Sequence, residues 1–223
     1  GSPAMEGTSR RLDGIGTIPL SWDRPFCEPF REMIAHSRLR TYLDVIIGQG
    51  HRLDAGPGLM ATDTGAEGHR LHGGGGQSND IAFCYFFKNG KIYSGMIVVE
   101  IMLVDEGPDD GGLAVIPGSH KANLPCPERM LVGEGHRKFI KKIAVKAGDA
   151  VIFTETLTHG ALPWKGSCQR RIVLSRYTPG AIAWHRMQHK TTAPEYAADM
   201  TEEQRSLIDP PDSRAEYIRG IKG

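Results

Sequence analysis

Ser94-Gly95-Met96-Ile97-Val98-Val99-Glu100-Ile101-Met102-Leu103-Val104 is an apolar run interrupted by one carboxylate. Rich in β-branched residues, it reads as a strand, and Glu100 within it is poorly placed for a solvated charge. Working outward, short apolar runs recur between Gly, Pro, Asn and Asp, as in Gly58-Leu59-Met60-Ala61-Thr62 and Ile81-Ala82-Phe83-Cys84-Tyr85-Phe86-Phe87. Lys88-Asn89-Gly90-Lys91 predicts a hairpin turn, because Asn-Gly tolerates the positive φ angles of tight turns. Further strands are expected at Leu113–Ile116, Phe139–Val145, Ala150–Phe153 and Arg171–Tyr177. This succession predicts a mainly β protein, a double-sheet jelly roll with one open mouth.

Helices are expected only as support. Phe26, Phe30, Met33 and Ile34, then Leu39, Tyr42, Leu43 and Ile46, approximate helical spacing and predict a helical segment over 25–47. The polar tail over 191–223 is helix-prone, and Thr201-Glu202-Glu203-Gln204 has the form of a helix start; the tail either covers the mouth or stands as a solvated appendage. No repeat or linker divides the chain, so one domain over 1–223 is expected, with its core at about 53–180.

Composition excludes several classes. Among 223 residues, 39% hydrophobic content suits a globular core, and 28 glycines with 14 prolines favour many turns. A net charge of +1 gives no reason to expect a duplex nucleic-acid partner. Cys27, Cys84, Cys126 and Cys168 are widely separated, which argues against a disulfide scaffold or zinc ribbon. With no export leader or membrane-length apolar run, the expected location is the cytoplasm.

Two distant histidines carry the chemistry. His72 lies in Leu71-His72-Gly73-Gly74-Gly75-Gly76, His159 lies in Thr158-His159-Gly160, and Arg170 follows. The layout suggests a mononuclear iron site with a keto-acid co-substrate. Such sites place two histidines and a carboxylate on one face of Fe(II), leaving positions for co-substrate and O2. The carboxylate is expected two residues after the first histidine, where this chain has Gly74.

Asp109-Asp110-Gly111-Gly112-Leu113-Ala114-Val115-Ile116-Pro117-Gly118-Ser119-His120-Lys121 lies between the histidines. Together with Lys146-Ala147-Gly148-Asp149-Ala150-Val151-Ile152-Phe153 and Arg170-Arg171, it resembles the phytanoyl-CoA dioxygenase family of Fe(II)/2-oxoglutarate oxygenases. The resemblance spans roughly 53–180 and implies a double-stranded β-helix, cupin-like, with His72 and His159 on iron. It implies that Arg170 binds the distal carboxylate of 2-oxoglutarate, a task suited to the planar fork of a guanidinium. Arg171 would point to the opposite face of a strand. The family places His120 in a structural role or near the substrate entrance.

Gly74 aligns the chain with the His-x-Gly variant found in related halogenases. That likeness implies chloride on iron in place of the carboxylate, and chlorination of an unactivated C–H through an iron(IV)-oxo chloride intermediate. Glycines 73–76 could also aim backbone N–H groups at the anion. The alternatives are a hydroxylase whose carboxylate is displaced to Asp80, Glu67 or Glu100, and a non-catalytic jelly-roll binding protein. His69 competes with His72, although Leu71 stands two residues after it.

The expected partner is a small molecule. Lys121, Arg129, Arg137, Lys138, Lys141 and Lys142 cluster in sequence, and Lys121 and Arg137 are the candidates for a phosphate or carboxylate, as on a nucleotide. The bland reading is a solvated loop and strand edge. Tyr85, Phe86, Phe87, Tyr93, Trp164 and Trp184 could stack on a flat ring, although strand alternation commits about half of them to the core.

Overall fold

The computed structural model describes residues 9–11, 18–73, 80–122, 124–131, 137–185 and 193–211. Gly74, the Arg137 side chain and residues 191–192 and 212–223 therefore lie outside the described residues.

The central apolar run divides at Gly95. Before it, β4 (Tyr85–Lys88) and β5 (Lys91–Ser94) form a hairpin; after it comes β6 (Ile97–Met102). Asn89 at φ 53° and Gly90 at φ 75° make the turn, as the Asn-Gly pair predicts. Ile97 and Val99 join one apolar cluster and Val98 joins another. Strand β6 is thus buried on both faces, which explains its nearly unbroken apolar sequence.

Around β6 the chain forms two antiparallel sheets. The larger runs β1 (Ser9–Arg11), β2 (Arg52–Thr62), β11 (Arg170–Thr178), β6 and β9 (Ala150–Thr154). The smaller runs β3 (His69–His72), β10 (His159–Leu162), β7 (Gly112–Val115) and β8 (Lys141–Lys142). Val98, Leu113, Val115 and Phe153 pack between the sheets, supported by Val151 and Leu174. The architecture is a double-stranded β-helix with helices on the outside.

The outer face of the larger sheet carries those helices. Leu39 and Leu43, with Ile34, meet Leu53, Ile97, Val99 and Tyr177. Each fully buried aliphatic side chain contributes roughly 1.5–3 kcal/mol of transfer free energy. The expected segment over 25–47 is two helices, α1 (Glu28–Ile34) and α2 (Ser37–Ile46), because His36 adopts extended backbone at φ −60° and ψ 124°. A short α3 (Glu128–Leu131) borders the smaller sheet.

The tail differs from both expectations for it. Its described part packs on this outer layer: Ala197, Met200, Leu207 and Ile208 are buried there, away from the space between the sheets. Thr201 and Gln204 form the capping box of α4 (Glu202–Ile208). Arg31 reaches Asp199 at 2.7 Å and Arg40 reaches Glu203 at 2.6 Å, joining tail to helices. The expected strand Phe139–Val145 also contracts: residues 137–139 form a 3-10 turn, and the strand itself is Lys141–Lys142, paired with β7.

Candidate metal centre and its surroundings

His72 and His159 occupy one rung of the smaller sheet. They are direct partners in the antiparallel pairing of β3 with β10, and their ring centroids are 4.3 Å apart. His69 pairs with Ala161, so β3 uses one more residue than β10 between these rungs, a bulge. The bulge swings His69 to 4.6 Å from the His72 ring, beside the pair. Burial, followed by the charge of His72, holds His69 below the usual histidine range.

Backbone contacts orient both rings. His72 Nδ1 lies 3.1 Å from the Arg70 carbonyl and His159 Nδ1 lies 2.7 Å from the Leu157 carbonyl. A carbonyl only accepts, so each Nδ1 carries a proton, and in the neutral ring Nε2 then keeps its lone pair, the tautomer that a metal requires. Burial, then the charge of His72, pushes His159 down to about 4. It is a neutral ligand-type imidazole at ordinary pH. Phe153 covers one side of it at 4.8 Å between ring centroids.

The turn between β9 and β10 supplies a carboxylate. Glu155 is buried, with Oε2 3.7 Å from His159 Nε2 and Oε1 accepting from Arg176 Nε at 2.6 Å. Burial pushes its carboxyl up, but opposing interactions, the Arg176 guanidinium foremost, hold it below the usual range. Gly73, at φ +86°, lies hard against this turn: a Cβ there would sit 2.6 Å from the Leu157 carbonyl oxygen and 2.9 Å from that of Glu155. Only glycine fits both the angle and the space. Among the described residues, no three His, Cys, Asp or Glu side chains already converge as a set for a metal ion.

A second charge cluster surrounds Arg170. Its Nε donates to Glu106 Oε1 at 2.7 Å and its Nη2 lies 3.5 Å from Glu100 Oε2. Lys142 reaches Glu106 Oε2 at 3.3 Å. Burial, partly offset by Arg170, holds the Glu100 carboxyl above the usual range. Gly112 admits the cluster, since a Cβ there would lie 2.3 Å from Glu106 Oε2 and 3.1 Å from Arg170 Nε.

The other expected residues are dispersed. Asp80 accepts from Ala82 N at 2.9 Å and from Trp184 Nε1 at 2.6 Å, while Glu67 is exposed. Of the basic series, Lys121 and Arg129 are exposed, Lys138 lies over the Phe139 ring at 5.1 Å, and Lys142 turns inward. Trp164 is buried and donates to the Cys168 carbonyl, so it has no free face for a ligand. A cleft of about 1700 Å³ runs from Phe86, Phe87 and Tyr93, past His120, to Phe153 and Leu157 beside the imidazole pair. Glu155 and Glu106 were not anticipated. A signal existed for Glu155, since Val151, Phe153 and Glu155 alternate toward the interior; nothing comparable marks Glu106.

The profile of the phytanoyl-CoA dioxygenase family matches residues 53–172. Among solved structures, HygX from Streptomyces hygroscopicus with nickel and 2-oxoglutarate is similar at TM-score 0.66 and 20% identity, over 83% of this chain and 76% of that one. The same protein with nickel, 2-oxoglutarate and hygromycin B gives TM-score 0.64 and 21% identity over the same shares. Its iron-bound form gives TM-score 0.58 and 24% identity over 76% of each chain. At these identities the likeness establishes the fold alone. No curated protein matched the sequence.

Proposed function

The chain belongs to the phytanoyl-CoA dioxygenase family of Fe(II)/2-oxoglutarate oxygenases, and from that premise we propose that it oxidises a small molecule at the His72–His159 pair. The observation carrying this reading is the rung itself, with both Nδ1 atoms occupied by carbonyls and both Nε2 atoms available. These residues fit iron, for which imidazole nitrogen is a suitable donor. Bound iron, with 2-oxoglutarate and O2, supplies the oxidant, leaving succinate and CO2. The similar fold of HygX, which binds nickel or iron and 2-oxoglutarate, supports the same co-substrate here.

Arg170 is proposed to anchor the distal carboxylate of 2-oxoglutarate. Its cluster holds two cations, Arg170 and Lys142, and two carboxyls, Glu106 and Glu100. Burial, partly offset by Arg170, pushes the Glu100 carboxyl toward its protonated form. With it neutral the cluster carries one net positive charge, complementary to one incoming carboxylate.

The substrate would enter along the aromatic cleft. Its apolar walls suit a molecule with a hydrophobic face, and Phe153 brings it to His159. A phosphorylated or nucleotide substrate rests on Lys121 and Arg137 and is the less supported version. HygX holds hygromycin B, so a natural product of that size is a sensible first class to screen.

Oxygen transfer is the outcome favoured by the carboxylate beside His159. Chlorination is the second reading, favoured by Gly74, and requires chloride on the iron. An anaerobic Fe(II) titration with 2-oxoglutarate, followed by visible absorption with and without chloride, tests both. A charge-transfer band indifferent to chloride is expected. A chloride-sensitive band would favour chlorination, and no band would overturn the enzyme reading.

A further inference from the structure

We propose that Glu155 is the protein carboxylate ligand of the metal, taking the place that Gly74 leaves without a side chain. This rests on the metal-centre reading above. The family pattern puts the carboxylate two residues after the first histidine; here it lies four residues before the second.

Three observations converge on Glu155. Its Oε2 lies 3.7 Å from His159 Nε2, the nitrogen that the Leu157 carbonyl leaves free for metal. Its Oε1 is held by Arg176 at 2.6 Å, so the carboxylate is oriented with one oxygen toward the imidazole. Its backbone is fixed by the Met96 carbonyl, which accepts from Glu155 N at 3.0 Å, and by Gly73 pressed against the turn. Two cis ligands at about 2.1 Å from one metal ion lie roughly 3 Å apart, so closure needs a movement of under about 1 Å.

The other carboxylates are committed elsewhere. Asp80 is engaged by Ala82 N and Trp184 Nε1, Glu67 is exposed, and Glu100 and Glu106 belong to the Arg170 cluster. A buried carboxylate beside the two imidazoles offsets the charge of a divalent ion, and Arg176 keeps it aligned as a supporting group does for a metal ligand. The fold thus sets two ligands on one rung and holds a third ready by its guanidinium partner.

Co(II) titration of the full chain, read by visible absorption, tests this without depending on turnover. Glu155→Ala should weaken Co(II) at least 10–100-fold, the loss typical even of a group that only supports a ligand. It should also make the Co(II) spectrum chloride-sensitive, because an anion then fills the opened position. Glu155→Gln keeps the volume and the Arg176 contact while removing the charge, and should weaken Co(II) similarly. Unchanged affinity and spectrum in a folded variant would overturn the assignment. A metal-loaded crystal structure of the unmodified chain decides the same point without substitution: Oε2 within about 2.2 Å of the ion supports it, and a distance beyond 3 Å refutes it. If the unmodified chain binds no metal, the proposed function fails; if it binds metal with Glu155 remote, only this assignment fails.

Discussion

Strand β11 carries two guanidinium–carboxylate pairs, and they are built to different plans. Arg170 and Glu106 are both buried, and Lys142 and Glu100 close the group on its remaining sides. Arg176 and Glu155 form a simpler pair: Arg176 is partly exposed, and the second oxygen of Glu155 faces His159. One end of the strand thus satisfies its charges internally, with Glu100 as the adjustable member. The other leaves a carboxylate oxygen directed at the imidazole rung. Buried charge at the first end is shared among four groups, and at the second it is held by one guanidinium that aligns one carboxylate.

Breaking the closed end should have the largest effect. Glu106→Ala removes the partner of both Arg170 and Lys142, and losing one member of a buried ion pair costs about 3–5 kcal/mol. A urea unfolding midpoint measures this, and a loss below about 1 kcal/mol would erase the distinction between the ends. Arg176→Met should cost less, about 1–3 kcal/mol, because it strands a buried carboxylate but removes a cation already in contact with water. If it exceeds Glu106→Ala in the same assay, the ranking is wrong.

The smallest effect sharpens the role of Glu100. Its folded-state pKa is raised by burial, so the stability contributed by its protonated form is complete below the ordinary carboxylate range. That contribution is lost as pH rises from that range through the raised value. Glu100→Gln should change stability by under about 1 kcal/mol at low pH. Compared with the unmodified chain, it should flatten the fall on raising pH. Identical slopes for the two chains would show that Glu100 does not titrate in this window.

Local signals in the sequence were legible where they acted locally. Asn89-Gly90 specifies its hairpin turn, and Thr201 with Gln204 specifies the start of α4, because each rule acts over four residues. The apolar run around Glu100 announced a buried strand and an uncomfortable charge. Other features depend on packing between distant elements. His36 interrupts the expected helix where two shorter helices meet the sheet, and Lys142 leaves a basic stretch to answer Glu106, which lies 36 residues away. Glu155 falls outside any short motif spacing with His72. Its nearness to the site follows from the turn between β9 and β10 folding against Gly73.

The shared rung of His72 and His159 has a thermodynamic consequence. Their separation is set by the hydrogen-bonded ladder of β3 and β10, so the chain entropy of bringing them together is spent when the sheet forms. A bound ion would bridge two strands otherwise held by backbone hydrogen bonds. Mass action then raises apparent stability by RT ln(1 + [M]/Kd), about 2.7 kcal/mol at a hundredfold excess over Kd. Amide protons of β3 and β10 should therefore exchange more slowly with solvent deuterium as metal is added, making the smaller sheet a reporter of its own occupancy.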